Sequence, residues 1–386
     1  MPLSYSRSLL LYAAWSVAAS GLVFLPHTAS AAVDLLQRPA YQTVKASKGL
    51  LLAVARAGDR IVAAGERGII VYSDDQGSSW KQATVPVSVT LTSLRFVSPA
   101  RGWAAGHDGV ILRTDDGAKS WHKQFDGNNA NSLVLAGLET RVTAAKAALQ
   151  ASAEKTRAAD ASALENIQNA LEDAKASSVF GPSMPLLGLW FRNADEGLAV
   201  GAFGQFFHTL DGGSSWESWS SRIVNPDNLH LNSIEQLANG DLMVAGEAGK
   251  LRRSRDAGDS WETLDTRYPG HLYGSLALAS GRTLLAFGFA GRIFRSTDDG
   301  RSWTPLPKLT NKPIVAGLTL ENGTVLLVTG DGRQLISRDQ GQTFLLLPSP
   351  PGRPVAAVLR QAPPKPNLLL VGAGGARSIP IDSSAD

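Results

Sequence analysis

Six aspartates recur in one short motif, and they are the residues whose type and spacing could do chemistry. The motif reads Ser/Thr-x-Asp-x-Gly-x-Ser/Thr-Trp, with Ala for Gly in the second copy and Phe for Trp in the sixth. Its Asp and aromatic positions are Asp75 and Trp80, Asp116 and Trp121, Asp211 and Trp216, Asp256 and Trp261, Asp298 and Trp303, and Asp339 and Phe344. Paired carboxylates can hydrolyse glycosides. Six equivalent turns cannot converge on one substrate, however, and Asp in a turn bonds backbone N–H groups, so we interpret this Asp box as structural.

The rest of the chain offers few groups for catalysis or metal binding. Its six histidines, at positions 27, 107, 122, 208, 230 and 271, lack metal-ligand spacing, and the chain has no Cys. Neither a phosphate-binding G-x-x-x-x-G-K-S/T nor a G-x-S-x-G nucleophile motif occurs. We therefore expect no catalytic residue, no metal and no cofactor.

A glycosidase or carbohydrate-binding function is the alternative, because Asp boxes also occur in sialidases. Retaining sialidases use a Tyr nucleophile with a Glu partner, an arginine trio and an early F/Y-R-I-P motif. The best available pair here is Tyr268 with Glu262, and the nearest F-R string, at Phe191, is the wrong motif. The sequence therefore disfavours this alternative without removing it.

A G-x-x-G turn upstream of the Asp boxes fixes the repeat length. It begins at Gly65, Gly106, Gly201, Gly246, Gly288, Gly330 and Gly372, and the copy at Gly330 ends in Arg. The intervals are 41, 95, 45, 42, 42 and 42 residues, so six intervals join seven units. A period near 42 with four strands per unit is typical of β-propeller blades.

Four strands are predicted in a complete unit. In the fifth unit they are Tyr273–Ala279, Arg282–Phe287, Arg292–Ser296 and Ser302–Leu306. The seventh unit has only three and no Asp box. We expect a segment around Ala40–Ala46 to supply its fourth strand and close the ring. The predicted fold is all-β: a seven-bladed β-propeller with a helical hairpin inserted between blades 2 and 3.

The 95-residue interval contains that insertion, at residues 128–181. Its composition changes to Ala, Glu, Lys, Leu and Gln, which favour helices. Apolar residues recur at helical spacing and predict two antiparallel helices, roughly 132–157 and 161–177, with Asp160 as the N-cap of the second. The two helices either simply pack against each other or project to bind a partner.

The N-terminus has the features of a cleaved secretory signal. Arg7 precedes an apolar stretch from Ser8 to Phe24, and Ala29-Ser30-Ala31 fits a cleavage site. We therefore expect a signal peptide at 1–31, blades 1–2 within 32–127, and blades 3–7 within 182–386. Removing residues 1–31 leaves a net charge of 36 − 34 = +2, too small to indicate a nucleic-acid partner.

The Gly-x-x-Gly turn, apolar strand and Arg/His-Ser/Thr-x-Asp-x-Gly-x-Ser-Trp string resemble the photosystem II assembly and stability factor family of Asp-box (BNR) propellers. The resemblance covers nearly all of the chain outside the insertion, and it points to an exported bacterial member. It implies a non-enzymatic periplasmic helper that binds an integral inner-membrane protein or its complex. A transporter of the resistance-nodulation-division type is one such complex, and the oligomeric state stays open.

Six residues are candidates for partner binding: Arg67, Phe203, Phe289, Arg113, Arg253 and Arg295. Phe203 and Phe289 fall between turn glycines, where an aromatic residue has little local reason to occur. Arg67, Glu66 and Glu247 occupy the corresponding turns of other units. The arginine-rich surfaces of the family add three arginines that directly precede an Asp box, namely Arg113, Arg253 and Arg295.

Overall fold

The described residues form seven antiparallel sheets, one for each unit of the repeat. The computed structural model describes residues 34–179, 181–278, 281–362 and 367–381. Six of its sheets have four strands and the last has three. The predicted signal peptide, residues 1–31, lies outside the described residues.

The strands follow one another in chain order. The first two sheets contain β1 (Leu51–Ala57), β2 (Arg60–Gly65), β3 (Ile70–Ser73), β4 (Lys81–Gln82), and β5 (Leu91–Phe96), β6 (Gly102–Gly106), β7 (Ile111–Thr114), β8 (His122–Phe125). Two helices follow, α1 (Gly127–Ala151) and α2 (Glu154–Ser178). The third and fourth sheets contain β9 (Leu186–Phe191), β10 (Gly197–Gly201), β11 (Phe206–Thr209), β12 (Glu217–Ser218), and β13 (Leu231–Gln236), β14 (Leu242–Gly246), β15 (Lys250–Ser254), β16 (Glu262–Asp265).

The remaining three sheets repeat the pattern. The fifth and sixth contain β17 (Leu272–Ala277), β18 (Leu284–Gly288), β19 (Ile293–Ser296), β20 (Thr304–Pro305), and β21 (Ile314–Thr319), β22 (Val325–Thr329), β23 (Gln334–Ser337), β24 (Leu345–Leu346). The seventh contains β25 (Val355–Arg360), β26 (Asn367–Gly372) and β27 (Gly375–Pro380). The first strand of each sheet contacts the first strand of the next, and β1 also contacts β25. This is the arrangement of a β-propeller.

Apolar side chains from neighbouring sheets form the core. The second strand of each sheet is buried along nearly its whole length, as in Gly102–Gly106 and Leu284–Gly288. Between the second and third sheets, Trp103 stacks on Phe191 with ring centroids 3.6 Å apart. Burying two large aromatic faces in this way stabilises the contact between sheets beyond the area removed from water.

The N-terminal segment does not form the fourth strand that we expected in the seventh sheet. Among the described residues that sheet has three strands. The segment instead bonds to the connection between the first two sheets, where Ala40 N donates to Val85 O at 3.0 Å and Thr43 N donates to the side chain of Gln82. Ala46–Lys48 packs against the start of β27, but as a 3₁₀ turn and not as a strand of the sheet, so the predicted closing strand at Ala40–Ala46 is wrong.

The insertion forms the predicted helical hairpin, with different ends. Asp126 caps α1 by accepting from Asn128 N and Asn129 N, so this helix starts earlier than predicted. Helix α1 ends before Ser152, which is its C-cap residue. Asp160 lies inside α2, and its carboxylate accepts a hydrogen bond from the Ser152 hydroxyl. Val142 and Leu171, from the predicted apolar stripes, are buried. No helix in the described ranges is both long and apolar enough to cross a membrane.

Each Asp box is a hydrogen-bonded turn between the third and fourth strands. In the first box, Asp75 Oδ1 accepts from Ser73 Oγ at 2.7 Å and Ser79 N at 2.8 Å, and its Oδ2 accepts from Ser79 Oγ at 2.5 Å. The other five aspartates, from Asp116 to Asp339, accept equivalent bonds. The structural interpretation of the motif fits this geometry, because both oxygens of each carboxylate accept hydrogen bonds within their own turn.

The boxes also join the sheets to one another, because the preceding sheet donates a hydrogen bond to a backbone carbonyl of each box. The donor and acceptor residues are Arg60 and Gly117, Trp103 and Gly212, Arg222 and Asp259, Arg253 and Asp299, Arg295 and Gln340, and Gln361 and Gln76. In five of these pairs the acceptor directly follows the box Asp, and it has a positive φ. The carboxylate therefore holds the turn in the conformation that presents this carbonyl to the neighbouring sheet.

Acid should destabilise the protein through these turns. Hydrogen bonds, first of all from the Ser260 side chain, lower the pKa of Asp256 from 3.8 to about 2, and those from Ser79 do the same for Asp75. A carboxylate whose pKa is lower in the folded state than in the unfolded state stabilises the folded protein. This contribution is complete above the unfolded-state pKa, and it is lost as the pH falls towards the folded-state pKa. We expect the free energy of unfolding in urea to fall from about pH 4 to about pH 2.5. The free energy of unfolding of an Asp256→Asn variant should fall less over this pH range than that of the wild type. An equal fall would contradict the stabilising role of the Asp256 carboxylate.

Replacing Arg253 should weaken the contact between the fourth and fifth sheets. Its side chain is 1% exposed and pairs with Asp241 and with Asp299, the latter at 2.5 Å. Arg253→Met leaves Asp241 without a cation and Asp299 with Arg255 alone, and it should reduce the free energy of unfolding by about 2–3 kcal/mol. The matched control is Arg255→Met, because Arg255 also pairs with Asp299 but is 53% exposed. Arg255→Met should reduce the free energy of unfolding by less than about 1 kcal/mol. Equal reductions in the two variants would show that burial of the ion pair does not matter.

Candidate partner-binding face

A row of tight turns joins the second and third strands in five successive sheets. Four are single 3₁₀ turns, at Glu66–Gly68, His107–Gly109, Ala202–Gly204 and Phe289–Gly291, and the fifth spans 247–249. The middle residue of each is left-handed: Arg67, Asp108, Phe203, Ala248 and Ala290 have φ between 51° and 56°. The last residue must be Gly, because a Cβ at Gly68 or Gly291 would overlap a backbone carbonyl. Local backbone demands therefore explain the glycines but not the residues between them.

Phe203 is the residue in these turns that its surroundings explain least. A bulky side chain in the left-handed region costs about 1–2 kcal/mol. The ring recovers little of this by burial, since Phe203 is 57% exposed. Its N–H donates to His230 Nδ1 at 3.1 Å, and its ring meets the imidazole edge-on with centroids 4.7 Å apart. Strained, exposed residues that neighbouring groups hold in place cluster at functional sites.

Phe289 occupies the equivalent turn two sheets away and is 51% exposed. Its backbone is held on both sides: its N–H donates to His271 O at 2.9 Å, and its carbonyl accepts from Tyr268 Oη at 3.3 Å. The ring lies 6.5 Å from the His271 ring. The side chain is therefore presented to solvent from a fixed backbone.

Glu247 lies between the two phenylalanines and joins their histidines. Its Oε2 accepts from His230 N at 2.6 Å and lies 3.6 Å from His230 Nδ1. Its Oε1 lies 3.4 Å from His271 Nε2. A continuous row thus runs from Phe203 through His230, Glu247 and His271 to Phe289, across the third, fourth and fifth sheets. We call this row, with the five turns that carry it, the turn face.

The turn face combines exposed aromatic rings with hydrogen-bonded polar groups. Two exposed aromatic rings flank one carboxylate that two imidazoles already contact, a mixture typical of protein interfaces. Burial and the neighbouring Tyr268 raise the pKa of Tyr273, which lies beside His271, so this phenol stays protonated at neutral pH. Among the described residues, no group of three or more His, Cys, Asp or Glu side chains could hold a metal ion.

The pair of residues that a sialidase-like reaction would need is engaged elsewhere. Glu262 pairs with Arg255 at 2.9 Å, beside the Asp box of the fourth sheet. Tyr268 donates its hydroxyl to Phe289 O on the turn face. Each side chain therefore has a local partner, and no contact joins the two in the described structure.

Arg67 and the base of the hairpin also belong to the turn face. Arg67 is exposed in the first of the five turns. Helix α1 contacts the turn His107–Gly109, and a Cβ at Gly109 would lie 2.9 Å from Gly127 Cα, at the start of the helix. The base of the insertion and this turn therefore lie on one surface.

The three arginines that precede Asp boxes lie at the opposite end of the third strands. Arg113 pairs with Asp115 at 2.9 Å, and Arg295 donates to Gln340 O at 3.1 Å. Arg253 is 2% exposed and bridges two sheets. The prediction that Arg253 contacts a partner does not fit this burial: the stem packs in the core while two carboxylates neutralise the guanidinium.

Sequence reasoning missed His230 and His271 as members of the site. Each directly precedes the first strand of its sheet, one repeat apart, at Leu231 and Leu272. Reading the histidines against the repeat register, rather than against metal-ligand spacing, would have placed both beside a turn.

The comparisons with known proteins agree with this architecture. The profile of the family "Photosynthesis system II assembly factor YCF48" matches residues 11–115 and 181–344. A curated relative, "Photosystem II assembly lipoprotein Ycf48" of Synechococcus sp. (strain CC9902), is 32% identical over 102 residues, which cover 26% of this chain and 30% of the relative. The alignment thus spans under a third of that protein.

Solved structures with the same fold include "YCF48 bound to D1 peptide", with a TM-score of 0.58 and 16% identity, covering 89% of this chain and all of that one. The WD40 β-propeller domain of Doa1 matches with a TM-score of 0.54 and 11% identity, over 91% of this chain and 98% of the other. At these identities the structures establish the propeller fold alone. Because the family profile matches more than half of its residues on both sides of the helical insertion, this chain belongs to the Ycf48 family of photosystem II assembly factor-like BNR propellers.

Proposed function

We propose that this protein is a non-enzymatic assembly, stability or accessory factor that binds an integral inner-membrane protein through the turn face. The observation that carries the proposal is Phe203, a half-exposed aromatic ring held in a left-handed backbone conformation. Nothing in the packing of its own sheet requires that ring. Contact with another protein would remove it from water, and aromatic residues are enriched in such contacts.

The family supports a role in binding rather than catalysis. Its profile is named for an assembly factor, and one structure of the same fold is of a Ycf48 bound to a peptide of the protein D1. For this chain the partner would be a membrane protein of a bacterial inner-membrane complex, such as a transporter of the resistance-nodulation-division type. The exposed residues proposed for contact are Phe203, Phe289 and Arg67, with the helical hairpin beside them.

Export to the periplasm is part of the same proposal. The first 31 residues have the order of charge, apolar stretch and small residues of a cleaved signal. The curated relative from Synechococcus is named a lipoprotein. A periplasmic location would place the turn face where it could meet the outer surface of an inner-membrane protein.

We also propose that the seven sheets close into one ring of seven blades. Arg56 Nη2 in the first sheet donates to Arg360 O in the seventh at 2.8 Å. In the other direction, the Gln361 amide of the seventh sheet donates to Gln76 O in the first Asp box. A closed ring would hold the turns rigidly, which lowers the entropy lost on binding.

Removing the two exposed rings should weaken capture of the membrane partner. The double variant Phe203→Ala/Phe289→Ala deletes apolar surface that stabilises only the complex, so recovery of the partner from solubilised native membranes should fall at least about tenfold. Leu210→Ala is the matched control, because Leu210 is 68% exposed but lies at an Asp box. Undiminished recovery with the double variant would contradict the turn face as the contact.

Deleting the hairpin tests whether it shares the contact. Gly127 and Pro182 lie against each other, so two glycines can replace residues 128–181 without separating the second and third sheets. We expect the midpoint of thermal unfolding to change little and partner recovery to fall at least about tenfold. If recovery persists in a folded deletion variant, the two helices only pack against each other.

A further inference from the structure

The outer edge of the seventh sheet carries backbone groups without partners. In the hairpin of β26 and β27, Gly372 pairs with Gly375 across a two-residue turn, so this pair is hydrogen-bonded and the pairs alternate from there. The N–H and C=O groups of Ala376 and Ser378 therefore point away from β26. Within the described residues neither backbone receives nor donates a hydrogen bond on that side.

The length of this open edge matches what a fourth strand covers in four of the other six sheets, while β8 and β16 have four residues each. Strands β4, β12, β20 and β24 have only two residues each. At the far end of the edge, Pro380 has no N–H, and its carbonyl accepts from the Gln334 amide at 3.2 Å. Pairing is therefore confined to the segment from Ala376 to Ser378.

A groove of about 440 Å³ lies between the N-terminal segment and the first sheet, near β27. Its walls include Val71 and Trp80 from the first sheet and Ala46 from the N-terminal segment. Ala376 packs against the same apolar cluster, so the groove borders β27. An extended segment placed along β27 would hydrogen-bond to its open edge, and it could bury alternate side chains against the apolar cluster that Ala376 shares with Trp80.

Positive charge surrounds this edge. Lys45 and Lys48 are exposed, and in sequence they flank Ala46 and Ser47, which line the groove. Arg353 is also exposed, and its side chain lies against Gly374, next to the start of β27. None of the three has a salt-bridge partner in the described part of the chain. Arg377 donates to Arg353 O at 2.9 Å and has no salt-bridge partner among the described residues; burial and the charge of Arg353 lower the pKa of Arg377.

We propose that the outer edge of β27 binds an extended peptide segment with acidic side chains, which adds to the seventh sheet as its fourth strand. Main-chain hydrogen bonds would supply affinity, as in other cases of strand addition, and the surrounding cations would select the acidic sequence. The site uses neither Phe203 nor Phe289, so it stands separately from the proposed function of the turn face.

Two substitutions at one position test the strand addition. Ser378→Pro removes the outward N–H without breaking a bond to β26, because Ser378 is in a non-hydrogen-bonded pair with Leu369. Ser378→Ala changes the side chain and keeps the N–H. The probe is a fluorescein-labelled octapeptide that alternates Glu with Val and Thr, and the readout is fluorescence anisotropy with the purified protein.

We expect the probe to bind the wild type and Ser378→Ala equally, and Ser378→Pro at least about tenfold more weakly. A probe with Lys in place of Glu should also bind at least about tenfold more weakly. Equal thermal unfolding midpoints for the two variants serve as the folding control. Absence of binding up to about 1 mM, equal binding by both variants, or equal binding of the Lys probe would each overturn the proposal.

Discussion

The hydrogen bonds that each Asp-box carboxylate accepts within its own turn are the interaction on which the rest of the structure depends. They hold the next residue at positive φ and turn its carbonyl towards the preceding sheet, which donates to it. One local motif thus shapes the turn and also joins two sheets. The seventh sheet has no box, and it joins the first sheet through Gln361, which donates to the box of that sheet.

Because the Asp boxes lie at one end of the third strands, the residues at the opposite end are not needed to join the sheets. The boxes fix one end of six of the seven described sheets, so the G-x-x-G turns at the other end can vary between their glycines without loss of the fold. Glu, His, Ala and Phe all occupy the position after the first Gly. Where two of these turns carry exposed phenylalanines, neighbouring backbone and imidazole groups hold them in place, which is the preorganisation that binding rewards.

Much of the fold could be predicted because the repeat carries the signal many times. Predicted strands in the fifth unit lie within two residues of those observed, such as Tyr273–Ala279 against Leu272–Ala277. The break between the helices was misplaced, since an Ala-rich run contains no strong stop and Ser152 is a weak signal. The closing strand at Ala40–Ala46 and an accessible Arg253 were wrong, because long-range bonds to Val85 and Asp299 decide both. Local sequence does not report such contacts.

The central claim is that the turn face meets a membrane protein directly, and site-specific photo-crosslinking tests it most closely. A photoreactive amino acid at position 289, on the turn face, is compared with one at position 210, beside an Asp box and similarly exposed. The proposed contact predicts that position 289 yields one defined cross-linked integral membrane protein in native membranes and that position 210 does not. No product from position 289, or the same product from both positions, would contradict it.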